Sequence, residues 1–312
     1  MSHTPDASSL VPTVDISNPS ATELAAVDAA CRDHGFFLLV GHGADQLIAD
    51  MWRITDEFFA SDATVKDPVR RTEDNPFGYW DRELTKRKRD HKEVFDYADP
   101  SGPTAHLNRW PGDRTEFRDT LGVIRDALGL GDEHSAHELG FLNERTSSAV
   151  RLNHYPIGDP VPADQREGLA ELGPTALGYH TDPGVLTLLL QDNTGGLQAE
   201  STTHGWIDVP PVAGAIVVNL GDAMQVWTND QYKAAVHRVV PMTESNRYSI
   251  PYFSNPPRHA VLEPLAAVMA AEGAAARYRS FGWKEYIAGR MADNFADYGV
   301  EDIQISDYLV DA

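Results

Sequence analysis

The 312-residue sequence predicts an all-β core with helices: a double-stranded β-helix (jelly roll) with a helical N-terminal part and a helical C-terminal tail. Two observations support this fold class. Apolar residues recur at helical spacing in the first half, and from about residue 149 short strand-like segments alternate with Gly, Pro, Asn and Asp. We expect one folding unit over 1–312, with a mixed helical region at 1–148, the jelly-roll core at 149–256 and the tail at 257–312.

The N-terminal region is predicted to contain a short strand at residues 14–16 and three helices. A capping box of Ser20 and Glu23 begins the first helix. The apolar faces of the first two helices follow helical spacing: Leu24, Val27 and Cys31, then Leu47, Met51, Ile54 and Phe58. A compact apolar strand at 36–40 separates these two helices. The third helix is expected at about 113–130.

The stretch from residue 77 to residue 99 has no clear periodicity. It contains aromatic residues, a basic run at 86–89 and a second closely spaced pair of possible ligands, His91 and Glu93. A charge run of this kind usually forms a solvated face of the protein.

Seven strand-like segments form the predicted core: 149–155, 177–181, 185–191, 206–209, 215–219, 234–240 and 247–254. The segment at 158–174, rich in proline and glycine, is predicted to be a surface loop between two of them. After residue 257 the chain is expected to become helical again, with Trp283, Ile287 and Met291 on one face.

Composition excludes several classes of protein. The net charge of −21 argues against general nucleic-acid binding, and no apolar run approaches the length of a membrane span. Cys31 is the only cysteine, so neither a disulfide framework nor a cysteine metal cage can form. We therefore expect a cytoplasmic protein with no nucleic-acid or membrane partner, and the oligomeric state is left open.

Two possible metal ligands stand just before the most apolar segment. His180 and Asp182 are separated by one residue, and strand alternation would put both on one face if they extend that sheet. His237 lies in a later strand segment and could supply a third ligand, because a jelly roll brings distant strands together. Two imidazoles and one carboxylate suit a non-haem iron with open positions.

A possible anion anchor follows His237. Arg247 and Ser249 are two residues apart, so they share a strand face, and a guanidinium beside a hydroxyl suits bidentate binding of a carboxylate. Beside an iron with open positions, such an anchor indicates a keto-acid co-substrate that chelates the metal at its other end. Each residue alone has an ordinary structural explanation, and only the ordered set indicates function.

These segments resemble the isopenicillin N synthase-like family of iron(II)- and 2-oxoglutarate-dependent dioxygenases. The similarity extends over nearly the whole chain, at residues 11–16, 31–43, 151–156, 180–198, 205–209, 215–222, 227–239 and 247–253. The resemblance implies that His180, Asp182 and His237 bind Fe(II). It also implies that Arg247 and Ser249 bind the distal carboxylate of 2-oxoglutarate.

The family's Asn-x-Tyr motif matches Asn153 and Tyr155. In the family the Tyr contacts the same carboxylate and the Asn lies near the metal. Two positions depart from the family pattern. Gly41 stands where Asn is frequent, which concerns only a structural turn, and His154 replaces a common Tyr and is expected to alter the pocket wall.

The reaction implied by the resemblance uses Fe(II), 2-oxoglutarate and O2, releases succinate and CO2, and oxidises a small molecule. Hydroxylation is the default outcome, whereas desaturation, epoxidation and ring closure would use the same residues. Phe77, Tyr79 and Arg82 lie where such enzymes often have a lid. Two alternatives remain open: a 2-oxoglutarate-independent oxidase of the same superfamily, and a non-catalytic jelly-roll binding protein with a partner on the 86–89 run.

Overall fold

The computed structural model describes residues 10–98, 104–112, 147–291, 299 and 303–310. The strands are β1 (Thr13–Asp15), β2 (Phe36–Val40), β3 (Gly78–Trp80), β4 (Leu84–Thr85), β5 (Lys88–Arg89), β6 (Glu93–Ala98), β7 (Ala149–Tyr155), β8 (Leu177–His180), β9 (Leu186–Gln191), β10 (Leu197–Ser201), β11 (Gly205–Asp208), β12 (Ile216–Leu220), β13 (His237–Val239), β14 (Arg247–Ser254), β15 (Val261–Leu262) and β16 (Phe281–Gly282). The helices are α1 (Ala21–Asp33), α2 (Asp45–Phe59), α3 (Ala63–Lys66), α4 (Asp222–Trp227), α5 (Ala266–Glu272) and α6 (Trp283–Met291).

Two sheets form the core of the molecule. The larger has eight strands in the order β1-β2-β12-β9-β14-β7-β6-β3, and the smaller has four in the order β11-β10-β13-β8. Only β1 and β2 pair in parallel; the other pairs in the two sheets, as far as the structure describes the chain, are antiparallel. Many neighbours in each sheet are distant in the sequence, as in a jelly roll. The predicted fold class is confirmed.

Apolar side chains of both sheets pack together between them. Phe36, Leu189 and Val217 of the large sheet belong to one buried cluster with Leu197 and Val239 of the small sheet. Helix α2 covers the other face of the large sheet with a second cluster. The members of that cluster include Met51, Ile54, Phe58, Phe95, Leu152 and Ile250. The large sheet is therefore apolar on both faces in part of its area, which explains its near-continuous apolar strands.

The first two helices form as the sequence predicts. Ser20 and Glu23 make a reciprocal capping box at the start of α1, which satisfies backbone N–H groups that the helix leaves unpaired. Leu24, Val27 and Cys31 share one face as predicted, but that face is buried only towards the end of the helix: Cys31 is buried, Val27 is partly buried and Leu24 is 53 % exposed. The expected helix at 113–130 lies outside the described residues.

The predicted core strands are found. One further strand is present, and one predicted strand belongs to a different sheet from the one expected. Residues 197–201 form β10 inside the small sheet, and this strand is not among the segments that the sequence predicts. Strand alternation predicts that β8 and β9 continue one sheet, but β8 pairs with β13 and β9 pairs with β12 and β14. Residues 181–185 carry the chain from one sheet to the other, because Pro183 and Gly184 interrupt the strand.

The segment from 77 to 98, which has no clear periodicity, forms β3 to β6. The basic run within it is only partly solvated. Lys88 is exposed and pairs with Glu171, but the guanidinium of Arg89 is buried and makes two hydrogen bonds to Asp159, of 2.9 and 2.8 Å. The expectation of a solvated face therefore holds for Lys86, Arg87 and Lys88 and is wrong for Arg89. Because Arg89 is buried and already paired with Asp159, it is not available to a protein partner that would bind the 86–89 run.

After residue 257 the described part of the chain contains two α-helices, α5 and α6, and the pair β15–β16. Trp283 and Tyr286 of α6 are fully buried against α4 residues. Ile287 is partly buried and Met291 is 38 % exposed, so the predicted apolar face is buried mainly at its start. None of the helices within the described residues is long and apolar enough to span a membrane.

Candidate active site

His180, Asp182 and His237 come together at the end of the small sheet. One ligand atom of each lies within 4.8 Å of the others. The distances from Asp182 Oδ1 are 3.7 Å to His180 Nε2 and 3.9 Å to His237 Nε2. Strand pairing explains the arrangement, because His237 of β13 lies directly opposite His180 of β8. Two imidazoles and a carboxylate on one side of a point are the donor set that suits a divalent iron with open positions.

Hydrogen bonds orient both imidazoles for metal binding. His180 Nδ1 lies 2.8 Å from the carbonyl oxygen of Gly178, and His237 Nδ1 lies 2.8 Å from that of Ala235. A carbonyl oxygen only accepts, so each Nδ1 carries the proton and each Nε2 presents a lone pair. Burial, and next the neighbouring His237, lower the pKa of His180 to about 3. The His180 imidazole is therefore neutral at neutral pH, as a ligand must be.

Asp182 is held by the large sheet, not by strand alternation with His180. β8 ends at His180, and the Asp182 Oδ2 atom accepts hydrogen bonds from Thr187 Oγ1 at 2.5 Å and Asn219 Nδ2 at 2.8 Å. Thr187 and Asn219 are paired residues of β9 and β12. Oδ1 is left to face the histidines. Burial acts to raise the pKa of Asp182, but His237, His180 and these hydrogen bonds outweigh it, so the pKa lies below its usual value.

Arg247 is a buried cation without an anion among the described residues. It is 1 % exposed, its Nε and Nη1 atoms have no hydrogen-bond partner in that part of the chain, and Nη2 makes only a 3.5 Å contact to Gln191. Burying unpaired guanidinium donors is costly. These free donors fit a carboxylate that binds in this cavity and accepts hydrogen bonds from the guanidinium.

Ser249, Tyr155 and Asn153 surround that guanidinium. Arg247 lies opposite Tyr155 and Ser249 opposite Asn153 in the β14–β7 pairing. The Arg247 Cζ atom is 5.0 Å from the centre of the Tyr155 ring, and Asn153 Nδ2 donates to Ser249 Oγ at 3.3 Å. The buried Oδ1 atom of Asn153 has no partner among the described residues, so this amide can accept one more hydrogen bond. The structure thus brings all seven predicted site residues to one cavity.

The cavity has a volume of about 980 Å³ and opens between the sheets. One side of it is a charged wall of five residues, Arg71, Glu83, Lys92, Asp96 and Arg151. Arg151 makes hydrogen bonds of 2.7 Å to both Glu83 and Asp96, and Lys92 Nζ lies 2.7 Å from Glu83. These two carboxylates and Asp90, whose Oδ2 lies 3.4 Å from Lys92 Nζ, balance the three cations of the wall. Sequence spacing gives no signal for it, since its members come from four separate segments.

A second group that sequence reasoning missed links the C-terminal helix to the three candidate metal ligands. Arg290 of α6 donates to the carbonyl oxygen of Thr181 at 2.7 Å, directly between His180 and Asp182 in the chain. The fully buried Asp222 accepts from Tyr286 at 2.5 Å, and its backbone N–H donates to the carbonyl oxygen of Asp182 at 2.8 Å. Helices α4 and α6 therefore fix both ends of the ligand-bearing loop.

Several other expectations do not hold. His91 and Glu93 are not part of the metal cluster: His91 Nε2 contacts the carbonyl oxygen of Gly173, and Glu93 accepts from Tyr79 and His154. His154 stacks on a tyrosine outside the cavity, so it does not alter the pocket wall. Alternation along β7 turns it away from its neighbours Asn153 and Tyr155.

The predicted lid residues also separate. Phe77 lines the cavity, whereas Tyr79 is buried against Glu93 and Arg82 pairs with Asp81 and Gln165 away from it. Gly41 does lie in a structural turn. Its φ is +71°, a left-handed conformation that glycine adopts without strain, and a Cβ there would displace the side chain of Asp15, whose Oδ1 it would approach to 2.0 Å.

Comparison with known proteins agrees with this geometry. The family model described as "2OG-Fe(II) oxygenase superfamily" matches residues 146–256, and that described as "non-haem dioxygenase in morphine synthesis N-terminal" matches residues 11–113. Gibberellin 2-beta-dioxygenase 1 of Arabidopsis thaliana is 30 % identical over 309 residues, which cover 92 % of this chain and 91 % of the relative. Homoarginine-6-hydroxylase of Oryza sativa subsp. japonica is 30 % identical over 296 residues, covering 86 % and 88 %.

The fold is also that of a solved relative. A full-length Neurospora crassa protein, solved in complex with alpha-KG, superposes with a TM-score of 0.70 at 26 % identity, covering 90 % of this chain and 95 % of that one. The family match settles the alternatives in favour of a 2-oxoglutarate-dependent enzyme, an oxidoreductase that uses Fe(II), 2-oxoglutarate and O2. The chain belongs to the 2OG-Fe(II) oxygenase superfamily, as a non-haem iron(II)- and 2-oxoglutarate-dependent dioxygenase.

Proposed function

We propose that this chain couples the oxidative decarboxylation of 2-oxoglutarate to the hydroxylation of a small organic molecule in the cavity between its two sheets. In this proposal His180, Asp182 and His237 bind iron, and Arg247 with Ser249 binds the distal carboxylate of 2-oxoglutarate. The observation that carries the proposal is Arg247, a buried guanidinium with two donors that no described residue accepts, in the cavity that also holds the three possible metal ligands.

The iron supplies oxygen activation and abstraction of hydrogen from the substrate. The protein's part is to present ligands and exclude water. The Gly178 and Ala235 carbonyls keep the two imidazoles in the tautomer that offers Nε2 to the metal. Thr187 and Asn219 occupy Asp182 Oδ2, which leaves Oδ1 as the ligand atom on the side of the histidines.

The co-substrate is oriented from the far end of the cavity. Arg247 provides two N–H donors in a plane, Ser249 adds a hydroxyl, and the Tyr155 ring packs against the guanidinium. A dicarboxylate that binds there directs its keto-acid end towards the metal ligands. Asn153 lies beside Ser249, and its free oxygen can accept a hydrogen bond from a water or from the substrate.

The experiment that tests this assignment uses His237→Ala, with His91→Ala as the matched control. His237→Ala should abolish Fe(II) binding under anaerobic conditions and also succinate formation from 2-oxoglutarate, because two ligands hold iron weakly. His91→Ala should behave as the wild type in both measurements, since His91 lies outside the ligand cluster. Circular dichroism checks that both variants fold. Wild-type metal binding by His237→Ala would refute the ligand assignment.

Two further parts of the proposal concern the domain organisation and the cellular location of the chain. We infer one folding unit whose catalytic core spans 149–256, because strands from residues 13–40 and 78–98 complete the same large sheet. We also infer a cytoplasmic location, because Cys31, the single cysteine, is a buried free thiol. Limited proteolysis and cell fractionation test these two inferences. The oligomeric state is not part of the proposal.

A further inference from the structure

The cavity concentrates positive charge in an acidic protein. Acids outnumber lysines and arginines by 47 to 26 in the chain. Among the described residues that line the cavity the order is reversed, with eight lysines and arginines against five acids. A cleft that reverses the sign of the surrounding surface focuses the field and raises the local concentration of oppositely charged ligands. This cavity therefore attracts anions.

Most of the inner cations already have partners or an assigned role. Arg71, Lys92 and Arg151 are paired with Glu83 and Asp96 of the charged wall, and Lys92 is also paired with Asp90, so three carboxylates balance these three cations. Arg247 is the proposed anchor of 2-oxoglutarate, and Arg290 binds the Thr181 carbonyl. None of these five cations is free to pair with an anionic group of a second ligand beside 2-oxoglutarate.

Three mouth cations, Lys86, Arg258 and Lys284, are different. Each is exposed and also lines the cavity, so each lies at its opening. Arg258 and Lys284 have no ion pair or hydrogen bond within the described part of the chain, and the Lys86 ammonium lies 3.1 Å from the centre of the Tyr179 ring. Tyr179 is itself 52 % exposed and lines the cavity.

Exposed cations elsewhere in this chain often find one of its many acids. Arg32, Arg53 and Lys88 pair with Asp28, Glu57 and Glu171 at 2.9, 3.0 and 2.6 Å. Mouth cations that have no acidic partner among the described residues are available to a ligand. The two exposed acids that also line the cavity, Glu73 and Glu200, are fewer than these cations.

We propose that the organic substrate carries a carboxylate or an equivalent anionic group, which the mouth cations Lys86, Arg258 and Lys284 attract and hold while the rest of the molecule reaches the metal ligands. This inference rests on the proposed function and adds the chemical class of the substrate. A neutral substrate would gain nothing from the mouth cations, and a cationic one would be repelled by them.

The first experiment compares acids with their amides. The enzyme, loaded with Fe(II) and 2-oxoglutarate, is given a panel of aliphatic, alicyclic and aromatic monocarboxylates, each beside its primary amide, and substrate-stimulated succinate formation is measured. The acids should stimulate, with kcat/KM about tenfold above that of the matching amides at low salt, because exposed charge contacts each contribute a small factor. The preference should shrink in about 0.5 M salt, where the screening length is roughly 4 Å.

The second experiment removes the charge at the mouth. In the double variant Arg258→Gln/Lys284→Gln the preference for acid over amide should fall to about threefold, since only Lys86 of the mouth cations remains. The matched control is Arg32→Gln/Arg53→Gln, which removes two exposed cations that do not line the cavity and should keep the full preference. Both pairs are exposed, so neither variant disturbs the core.

The outcomes separate this inference from the proposed function. Succinate formed without any organic substrate, together with amides that stimulate as well as or better than the acids, would leave the dioxygenase assignment standing and overturn the anionic substrate. The anionic substrate is equally overturned if no acid of the panel stimulates, or if the mouth variant keeps the full preference. No succinate under any condition would overturn both.

Discussion

Replacing Arg247 by lysine separates charge from geometry at the proposed co-substrate anchor. The guanidinium is 1 % exposed and offers two donors, Nε and Nη1, that no described residue accepts. Lysine keeps the positive charge but has no planar fork, so one of the two parallel hydrogen bonds to the distal carboxylate is lost. A charge-assisted hydrogen bond contributes about 1.5–3 kcal/mol, which corresponds to a roughly tenfold to hundredfold weaker affinity for 2-oxoglutarate.

The affinity is measured by anaerobic titration of the Fe(II) enzyme with 2-oxoglutarate, and the KM for 2-oxoglutarate in succinate formation should rise in parallel. Iron content should not change, because Arg247 is not in the ligand cluster. Arg238→Lys is the matched control, since Arg238 is on β13 of the small sheet, outside the cavity, and donates to the neutral Gln198. Unchanged 2-oxoglutarate affinity with weakened binding of the organic substrate would show that Arg247 holds the substrate instead, and would refute the reasoning.

Three further predictions test the surroundings of the site. Arg290→Met should weaken Co(II) binding about tenfold, because the Thr181 carbonyl loses its hydrogen-bond donor. Arg290→Lys should bind Co(II) more nearly as the wild type does. Equal Co(II) affinities of the wild type and Arg290→Met in a metal titration would contradict this. Gly221→Ala should lower the free energy of unfolding by about 1–3 kcal/mol in urea, because the new Cβ would lie 2.3 Å from a backbone oxygen; an unchanged midpoint would contradict it. Burial raises the pKa of Asp90 to about 6, so the folded state binds the proton more tightly and stability falls as pH rises from about 4 to 6. Asp90→Asn should flatten that part of a stability–pH curve, and a curve as steep as the wild type would count against the assignment.

The ligand cluster could be predicted from sequence because its signal is local or ordered. His180 and Asp182 are two residues apart, and His237 follows in a strand that a jelly roll can place opposite. His180 and Asp182 do not converge through strand alternation, as the sequence predicts, because β8 ends at His180 and Asp182 lies beyond it. Its orientation comes from Thr187 and Asn219 of the other sheet, and the spacing of the ligands contains no information about that pairing.

Residues that act over long sequence separations could not be found in this way. The Arg290 donor and the Thr181 carbonyl are 109 positions apart, and the Arg89–Asp159 pair is separated by 70. When the ion-pair partners of a charged segment are distant in the sequence, the segment is predicted to be solvated. Only the fold determines whether one of its residues is buried. By contrast, the outward position of His154 follows from alternation between Asn153 and Tyr155, so the sequence contained enough information to place it correctly.

The small sheet contributes both imidazoles to the cluster, whereas Thr187 and Asn219 fasten the carboxylate to the large sheet. An ion bound by all three ligands is thus a clamp between the two layers of the sandwich. Binding that favours the folded state adds to its stability in proportion to the logarithm of the free ion concentration. The stability of the folded chain therefore depends on the supply of iron. When iron is scarce, the two sheets separate more often at this edge. The metal-free chain, which is inactive, is then also cleaved more readily by proteases.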